Sequence, residues 1–235
     1  MSSVKIEKIL DLKEIFKKLE IKSYAIIKLP ENFPNYDIGS DLDIFCYDVQ
    51  DISKTILTNV QKYISKDINI EITDKTTQVY IDVIKDNKIH FRFDLYGALP
   101  IYKNIAIKEA FFSSIIENAK DKKIDEVTIK IPCDIDENIL RYIEYQEWYA
   151  ERPDKIKHIE YIEKQIELKN IDLDQIFTKL HYYIRLPNNY EKRQVTSSVF
   201  IRYIQYLYHK IGKVFIYIKN NGIKKTALKI KDKII

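Results

Sequence analysis

The 235-residue chain is 46% hydrophobic, which is enough to bury a sizeable core and argues against a disordered protein. It contains 39 basic and 35 acidic residues, and the net charge of +4 does not by itself indicate a nucleic-acid partner. The sequence shows no signal peptide and no apolar run of membrane-spanning length, and its two cysteines, Cys46 and Cys133, form no CxxC pair. These features predict a cytoplasmic protein with reduced, buried thiols.

The first half of the chain alternates between helical and extended patterns. Apolar residues at helical spacing predict a helix within 4–20, and 23–29 (SYAIIKL) predicts a strand, followed by a loop at 30–40. The remaining elements predicted before Gly97 are a strand at 42–47, a helix at 52–64 capped by Asp51, strands at 68–72 and 78–84, a turn at 85–88, and a strand at 89–95.

The second half is predicted to be mostly helical. A helix at 105–120 and a short strand at 127–131 come first. The helices expected after them are 134–151, 153–168, one that begins after Asp172 and ends at Pro187, and 192–212, with a break at 220–222. We therefore expect an α+β fold, with a mixed β-sheet and flanking helices in a domain at 1–130 and a helical C-terminal domain at 131–235.

The spacing Asp-x-Asp occurs at 41–43, 134–136 and 172–174. The last two lie where helices begin, so capping and the helix macrodipole explain them. The first opens a strand instead, so Asp41 and Asp43 point to one face, roughly 6–7 Å apart. Two carboxylates aimed at one spot repel each other unless a cation lies between them. Because oxygen ligands suit Mg²⁺ or Mn²⁺, we predict a metal site at this pair.

A third carboxylate is expected from a later strand. In the strand at 89–95, apolar side chains share one face and His90, Arg92 and Asp94 share the other. Asp82 is the rival ligand, but its strand is apolar on both sides of it. We therefore favour Asp94 as the third ligand, with a second role as a base. Three such carboxylates would hold two divalent ions that clamp a nucleotide triphosphate.

The segments 39–44 (GSDLDI) and 93–95 (FDL) together resemble the polymerase-β-type nucleotidyltransferase superfamily. That superfamily has a Gly-Ser signature, an acidic pair on a strand and a third acid on a neighbouring strand, and the predicted element order over about residues 5–100 matches it. The runs YAIIKLPENFP, GSDLDIF and HFRFDLYG are most similar to nucleotidyltransferase-like proteins of bacterial surface-polysaccharide gene clusters. The resemblance implies a nucleotidyltransferase fold, catalytic metal-binding carboxylates, a nucleotide or nucleotide-activated donor, and a sugar or glycan acceptor.

The residues expected to hold phosphate depart from the superfamily pattern. There the Gly-Ser lies upstream of the acidic pair, whereas in this chain Gly39 and Ser40 directly precede it and 27–30 (IKLP) takes the upstream place. We expect Lys28, Gly39 and Ser40 to contact phosphate, with the Lys28 charge replacing amide contacts. The alternative is that ordinary nucleotide binding has been lost.

Further basic residues have two interpretations each. Arg92 either contacts phosphate or forms a cross-strand salt bridge. Lys157 and His158, near a predicted helix start, either face the cleft and bind phosphate or belong to a solvated helix face. After Glu191 the only acid is Asp232, so the basic end would form an oligomerising cap, contact an anionic membrane at its inner face or, less readily, bind nucleic acid.

Three functional hypotheses follow from these patterns. The first is a Mg²⁺-dependent nucleotidyltransferase-type enzyme of surface polysaccharide biosynthesis. The second is a toxin–antitoxin or antibiotic-modifying nucleotidyltransferase that acts on tRNA or an aminoglycoside. The third is a non-catalytic module of the same fold that binds a ligand in its acidic cleft.

Overall fold

The computed structural model describes residues 9–103, 105–148 and 152–185. Its strands are β1 (Tyr24–Ile27), β2 (Ser40–Cys46), β3 (Ile68–Asp74), β4 (Gln78–Lys85), β5 (Lys88–Tyr96), β6 (Ala106–Ile107), β7 (Lys120–Ile124), β8 (Val127–Ile131) and β9 (Ile184–Arg185). Its helices are α1 (Leu12–Lys17), α2 (Val49–Val60), α3 (Ala110–Glu117), α4 (Asp134–Trp148), α5 (Lys157–Lys169) and α6 (Leu173–Tyr183). The predicted α+β class, with a mixed sheet and flanking helices, is confirmed.

The described residues divide into two compact units. The first contains 9–102, 106–140 and 171–185, and the second contains 103, 105, 141–148 and 152–170. The first unit therefore includes the main sheet, α1–α3, the start of α4, and α6. The second unit includes the end of α4 and all of α5. The domain boundary expected between residues 130 and 131 stays a prediction.

The main sheet has five strands in the order β1-β2-β5-β4-β3. Strands β2 and β5 run parallel, and the other neighbouring pairs are antiparallel. A two-residue turn joins β4 to β5, and its residues Asp86 and Asn87 have φ values of 53° and 58°. Left-handed backbone at both central residues is what a tight hairpin turn requires, and Asn and Asp tolerate it well. The strands predicted at 68–72, 78–84 and 89–95 are thus confirmed, each slightly longer than expected.

One side of the sheet forms the hydrophobic core. Alternate residues of the two parallel strands, among them Ile44 on β2 and Phe93 on β5, are fully buried. They belong to one cluster with Phe16 of α1 and Ile56 of α2, which cover this side. Burial of each such side chain contributes about 1.5–3 kcal/mol, so these packed helices fix the positions of the strands.

Helix α2 begins three residues earlier than the sequence predicts. Its N-cap is Asp48, whose carboxylate accepts the N–H of Asp51 at 2.8 Å. Asp51, the predicted cap, instead forms an ion pair with Lys22 at 2.6 Å. Both aspartates are chemically able to cap, and the ion pair with a residue outside the helix leaves that task to Asp48.

The region predicted as a helix at 105–120 is helical only from Ala110 to Glu117. Before it, β6 pairs with β9, and after it, the lysine-rich β7 forms a hairpin with β8. The left-handed Asp125, with φ of 54°, makes the hairpin turn. Strand β7 was missed because its side chains are largely exposed and carry no alternating apolar pattern.

The later helices agree with the prediction more closely. Asp172 caps α6 by accepting the N–H of Asp174 at 2.9 Å, as predicted. A 3₁₀ turn at Pro153–Ile156 precedes α5, where a continuous helix was expected. The elements predicted beyond Arg185, including the basic end, lie outside the described residues. Among the helices that are described, none combines the length and apolar character needed to cross a bilayer.

Candidate functional site

The parallel pairing of β2 with β5 brings the predicted carboxylates together. In this register Asp43 lies opposite Asp94, and Asp41 lies opposite Arg92. Residues that face each other across neighbouring strands share one side of a sheet, so all three carboxylates emerge on the side away from the core. One oxygen from each of them lies within 4.8 Å of the others. The predicted clustering of Asp41, Asp43 and Asp94 is therefore what the structure shows.

The three carboxylates differ in their surroundings. Asp41 is exposed, Asp43 is half-buried, and Asp94 is only 7% exposed. The Oδ1 atom of Asp94 is buried and accepts no hydrogen bond. Burial, followed by the charge of Asp43, raises the pKa of Asp94 to about 7, although Arg92 opposes the shift. In the metal-free site, the carboxyl group of Asp94 has thus lost its hydration, and its charged form is not stabilised by enough hydrogen bonds in exchange.

This arrangement suits a small divalent cation. The donors are all carboxylate oxygens, which Mg²⁺ and Mn²⁺ prefer. Two oxygens on opposite sides of one Mg²⁺ lie about 4.2 Å apart, so small side-chain rotations bring this set into range. A bound cation would also give the buried Asp94 oxygen its missing partner. The residues therefore fit the ion that the sequence predicts, and its binding stays a prediction.

Asp82, the rival third carboxylate, is used elsewhere. It accepts two hydrogen bonds from Arg92, from Nε at 2.5 Å and from Nη2 at 2.7 Å. The same Nε lies 3.7 Å from Asp94, and the guanidinium carbon lies 5.3 Å from the centroid of the Tyr80 ring. Of the two interpretations of Arg92, the structure shows the cross-strand salt bridge. It favours Asp94 over Asp82 as the third carboxylate of the cluster.

A β-bulge produces the pairing of Asp82 with Arg92. Counting back from the turn at Asp86 and Asn87 would place Asp82 opposite Phe91, but the register shifts near Val83 and Ile84 and places it opposite Arg92. The extra residue at the bulge is His90. It is 3% exposed, and its ring packs edge-on against Tyr36. The expectation that His90 shares the polar face with Arg92 and Asp94 is therefore wrong, because the bulge breaks the alternation.

Two tyrosines extend the polar face beyond the predicted residues. Tyr80 of β4 lies opposite Asp94, and Tyr96 of β5 lies opposite Gln78 on the same side of the sheet. Burial and the charges of Asp43 and Asp94 raise the pKa of Tyr96, so its hydroxyl group stays protonated. The alternation of the segment at 78–84 is the signal that could have identified Tyr80 and Gln78.

The turn before β2 presents the acidic pair. Gly39 has a φ of 82°, a backbone conformation that glycine adopts without strain. Its N–H donates to the carbonyl of His90 at 2.9 Å. The N–H and the hydroxyl group of Ser40 both donate to the carbonyl of Asp37, at 3.1 and 2.7 Å. The donors expected to hold phosphate are thus engaged within the protein, and a phosphate role for Gly39 and Ser40 stays a prediction.

Lys28 lies directly beside the carboxylates. It follows β1, whose last residue, Ile27, lies opposite Asp43. Its backbone is left-handed, with φ of 53°, and its N–H lies 3.4 Å from a carboxylate oxygen of Glu137. The ammonium group lies 3.4 Å from Asp43. Its partner in the structure is thus a carboxylate, and a phosphate role for Lys28 stays a prediction.

The other predicted phosphate ligands, Lys157 and His158, lie in the second unit. Lys157 is exposed at the start of α5, whereas His158 is 3% exposed, with Nε2 3.5 Å from Glu144. Burial lowers the pKa of His158, although Glu144 acts in the opposite direction. Lys155 forms an ion pair with the same Glu144. A phosphate-binding role for Lys157 and His158 stays a prediction.

Replacing Asp82 with asparagine is expected to destabilise the fold by about 1–2 kcal/mol, because the bidentate bond to Arg92 is lost at a site that is mostly buried. Asp154→Asn is the matched control, since Asp154 makes a similar paired contact to Arg152 on the surface, and we expect a change below about 0.5 kcal/mol. Urea denaturation of the two variants measures the difference. Equal effects would contradict a structural role for the Asp82–Arg92 pair.

Comparison with known proteins places this geometry in context. No protein-family model matches the sequence, and a search of curated proteins finds no match. Among solved structures, the chain is similar to a crystal structure from H. pylori that is provisionally assigned as a nucleotidyltransferase. The match covers 85% of this chain and 92% of that one, with 13% sequence identity and a TM-score of 0.32. The fold and the site geometry define the chain as an α+β protein with a cluster of carboxylates on two neighbouring parallel strands.

Proposed function

We propose that this protein is a Mg²⁺- or Mn²⁺-dependent nucleotidyltransferase-type enzyme. The observation that supports the proposal best is the cluster of Asp41, Asp43 and Asp94, whose oxygens lie within 4.8 Å of one another on one side of the sheet. Asp41 and Asp43 would hold the ion. When bound, the ion would neutralise the phosphate groups of a nucleotide or nucleotide-activated donor and support in-line displacement.

Asp94 would complete the metal site and accept a proton from the attacking hydroxyl group. Burial and the charge of Asp43 raise the pKa of Asp94 to about 7 in the metal-free protein, and a bound cation would lower that pKa and keep the carboxylate ionised. Arg92, held by Asp82, lies next to Asp94 and would stabilise the charge that develops nearby. The rigid salt bridge keeps the guanidinium group in one orientation, so it needs no rearrangement during the reaction.

The proposed acceptor is a sugar or glycan intermediate of surface polysaccharide biosynthesis, on the resemblance of residues 24–34, 39–45 and 90–97 alone. The hydroxyl groups of Tyr80 and Tyr96 line the same face and would offer hydrogen bonds to such an acceptor. The cytoplasmic location belongs to the same proposal. The expected membrane contact of the basic end falls on residues outside the described ranges.

A non-catalytic ligand-binding module remains the second candidate. It is favoured by Gly39 and Ser40, whose N–H and hydroxyl donors bond to backbone carbonyls of the protein. Such a module would bind a metal–ligand complex at the same carboxylates without turnover. The two functions therefore share the site and differ in whether a nucleoside triphosphate is consumed.

A thermal-shift panel of nucleotides and nucleotide-sugars, with and without Mg²⁺ or Mn²⁺, tests the proposal. We expect at least one ligand to raise the Tm only when the metal is present, because ligand at 100 times its Kd stabilises the folded state by about 2.7 kcal/mol. Asp43→Asn should abolish this rise, whereas Asp67→Asn, at an exposed position, should preserve it.

Two results would argue against this function. A Tm rise that is unchanged in Asp43→Asn would exclude the cluster as the binding site. Metal-dependent binding without release of pyrophosphate from any nucleoside triphosphate in the panel, when a mixture of sugar acceptors is also present, would favour the non-catalytic module.

A further inference from the structure

Two cations border the carboxylate cluster, and they are held in different ways. Arg92 makes two hydrogen bonds to Asp82, whose side chain is 11% exposed, so moving the guanidinium group would leave a nearly buried carboxylate without it. Lys28 approaches Asp43 at 3.4 Å through a single ammonium group whose side chain is 28% exposed. An ammonium group on a flexible four-carbon stem exchanges partners more readily than a guanidinium group held by two bonds.

The backbone of Lys28 has a defined conformation beside Asp43. The residue adopts left-handed backbone, with φ of 53°, immediately after the buried Ile27. The residue before Lys28 is in register with Asp43. The ammonium group is therefore tethered close to Asp43 and can turn about its own side-chain bonds without moving the strand.

The ammonium group and a divalent cation would compete for the same carboxylate. Asp43 belongs to the set of oxygens that fit the metal, and it is also the partner of Lys28. A divalent ion close to Asp43 repels an ammonium group at this distance by Coulomb's law. The displaced ammonium group would then lie beside any anion that the metal holds, because its tether is short.

We propose that Lys28 is an internal counter-ion that the divalent cation displaces and redirects to the phosphate group of the ligand. This inference rests on the proposed function. In the metal-free protein, Lys28 neutralises part of the charge of the carboxylates. After metal binding, the same ammonium group binds the anion, so metal and anion binding are coupled and each strengthens the other. Lys28 is thus a binding residue that couples the two binding steps.

Lys28→Asn tests this inference, since asparagine loses the charge and tolerates left-handed backbone. Titration with Mn²⁺ alone, followed by electron paramagnetic resonance of the free ion, should show binding about three- to tenfold tighter than in wild type, because a competing cation is gone. Binding of ATP at saturating Mn²⁺, measured by calorimetry, should weaken about tenfold. A purely structural role for Lys28 would not move the two affinities in opposite directions.

The controls separate this inference from the proposed function. Lys28→Arg keeps the charge and should bind Mn²⁺ as wild type does. Lys22→Gln removes a comparable ammonium group, the one paired with Asp51 at 2.6 Å, and should change neither affinity. If Lys28→Asn does not fold, Lys28→Gln supplies the neutral side chain. An unchanged or lower Mn²⁺ affinity in the neutral variant overturns the inference, whereas a folded wild-type protein that binds no Mn²⁺ overturns the proposed function itself.

Discussion

Replacing Asp94 with asparagine is expected to raise the Tm of the metal-free protein at pH 8 and to abolish its response to Mn²⁺. The pKa of Asp94 is about 7 in the folded protein, against 3.8 for an unperturbed carboxyl group. The folded state therefore holds a proton that the unfolded chain releases, and stability falls as the pH rises from about 4 to 7. After allowance for screening by water, the loss is about 2–4 kcal/mol. Asparagine removes the charge and with it this loss.

Thermal unfolding from pH 4 to 8, with and without Mn²⁺, measures both effects. Wild type should lose stability towards pH 8 and regain it with Mn²⁺, whereas Asp94→Asn should show a Tm several degrees higher at pH 8 and no gain with the metal. Asp67→Asn serves as the exposed control and should behave like wild type. A lower Tm of Asp94→Asn at pH 8 would show that the carboxylate is stabilising in the folded protein.

Phe93→Ala should destabilise the fold more than Asp82→Asn does. Phe93 is fully buried in the central strand β5, one residue before Asp94, and its ring packs edge-on against Phe91 with 4.9 Å between centroids. Removing a buried ring leaves a cavity and costs about 3–5 kcal/mol. Urea denaturation should show this loss as a lower midpoint with an unchanged slope.

Phe177→Ala is the matched control, because Phe177 on α6 is 48% exposed and its removal should change stability by less than about 0.5 kcal/mol. Losses of similar size in the two variants would contradict the assignment of Phe93 to the core. Together, Asp94→Asn and Phe93→Ala separate the two sides of β5, since one change should stabilise the metal-free protein and the other should destabilise it.

The alternation of side chains in strands explains how much of the site the sequence predicts. Asp41 and Asp43 are two residues apart, and Asp94 follows the buried Phe93, so each is assigned to a face from its own strand alone. The choice of Asp94 over Asp82 also follows from the polarity of its strand. The faces of these three carboxylates were therefore predicted correctly.

Features that depend on pairing between strands could not be predicted in the same way. The bulge at His90 moves Asp82 from Phe91 to Arg92, and no local signal in β5 marks it. Similarly, the choice between Asp48 and Asp51 as the cap of α2 depends on Lys22, which lies outside the helix. Strand β7 has no apolar alternation and exists because β8 pairs with it. In each case the deciding contact comes from outside the segment that shows the local pattern.

The parallel pairing of β2 with β5 also has a consequence for the order in which the molecule folds. Asp43 and Asp94 meet directly across this pair, yet they are separated by about 50 residues that include all of β3 and β4. The carboxylates can therefore meet only after a long loop has closed, and their repulsion opposes that step. A cation that binds only the assembled cluster would act after the slow step of folding, and would slow unfolding while leaving the folding rate almost unchanged.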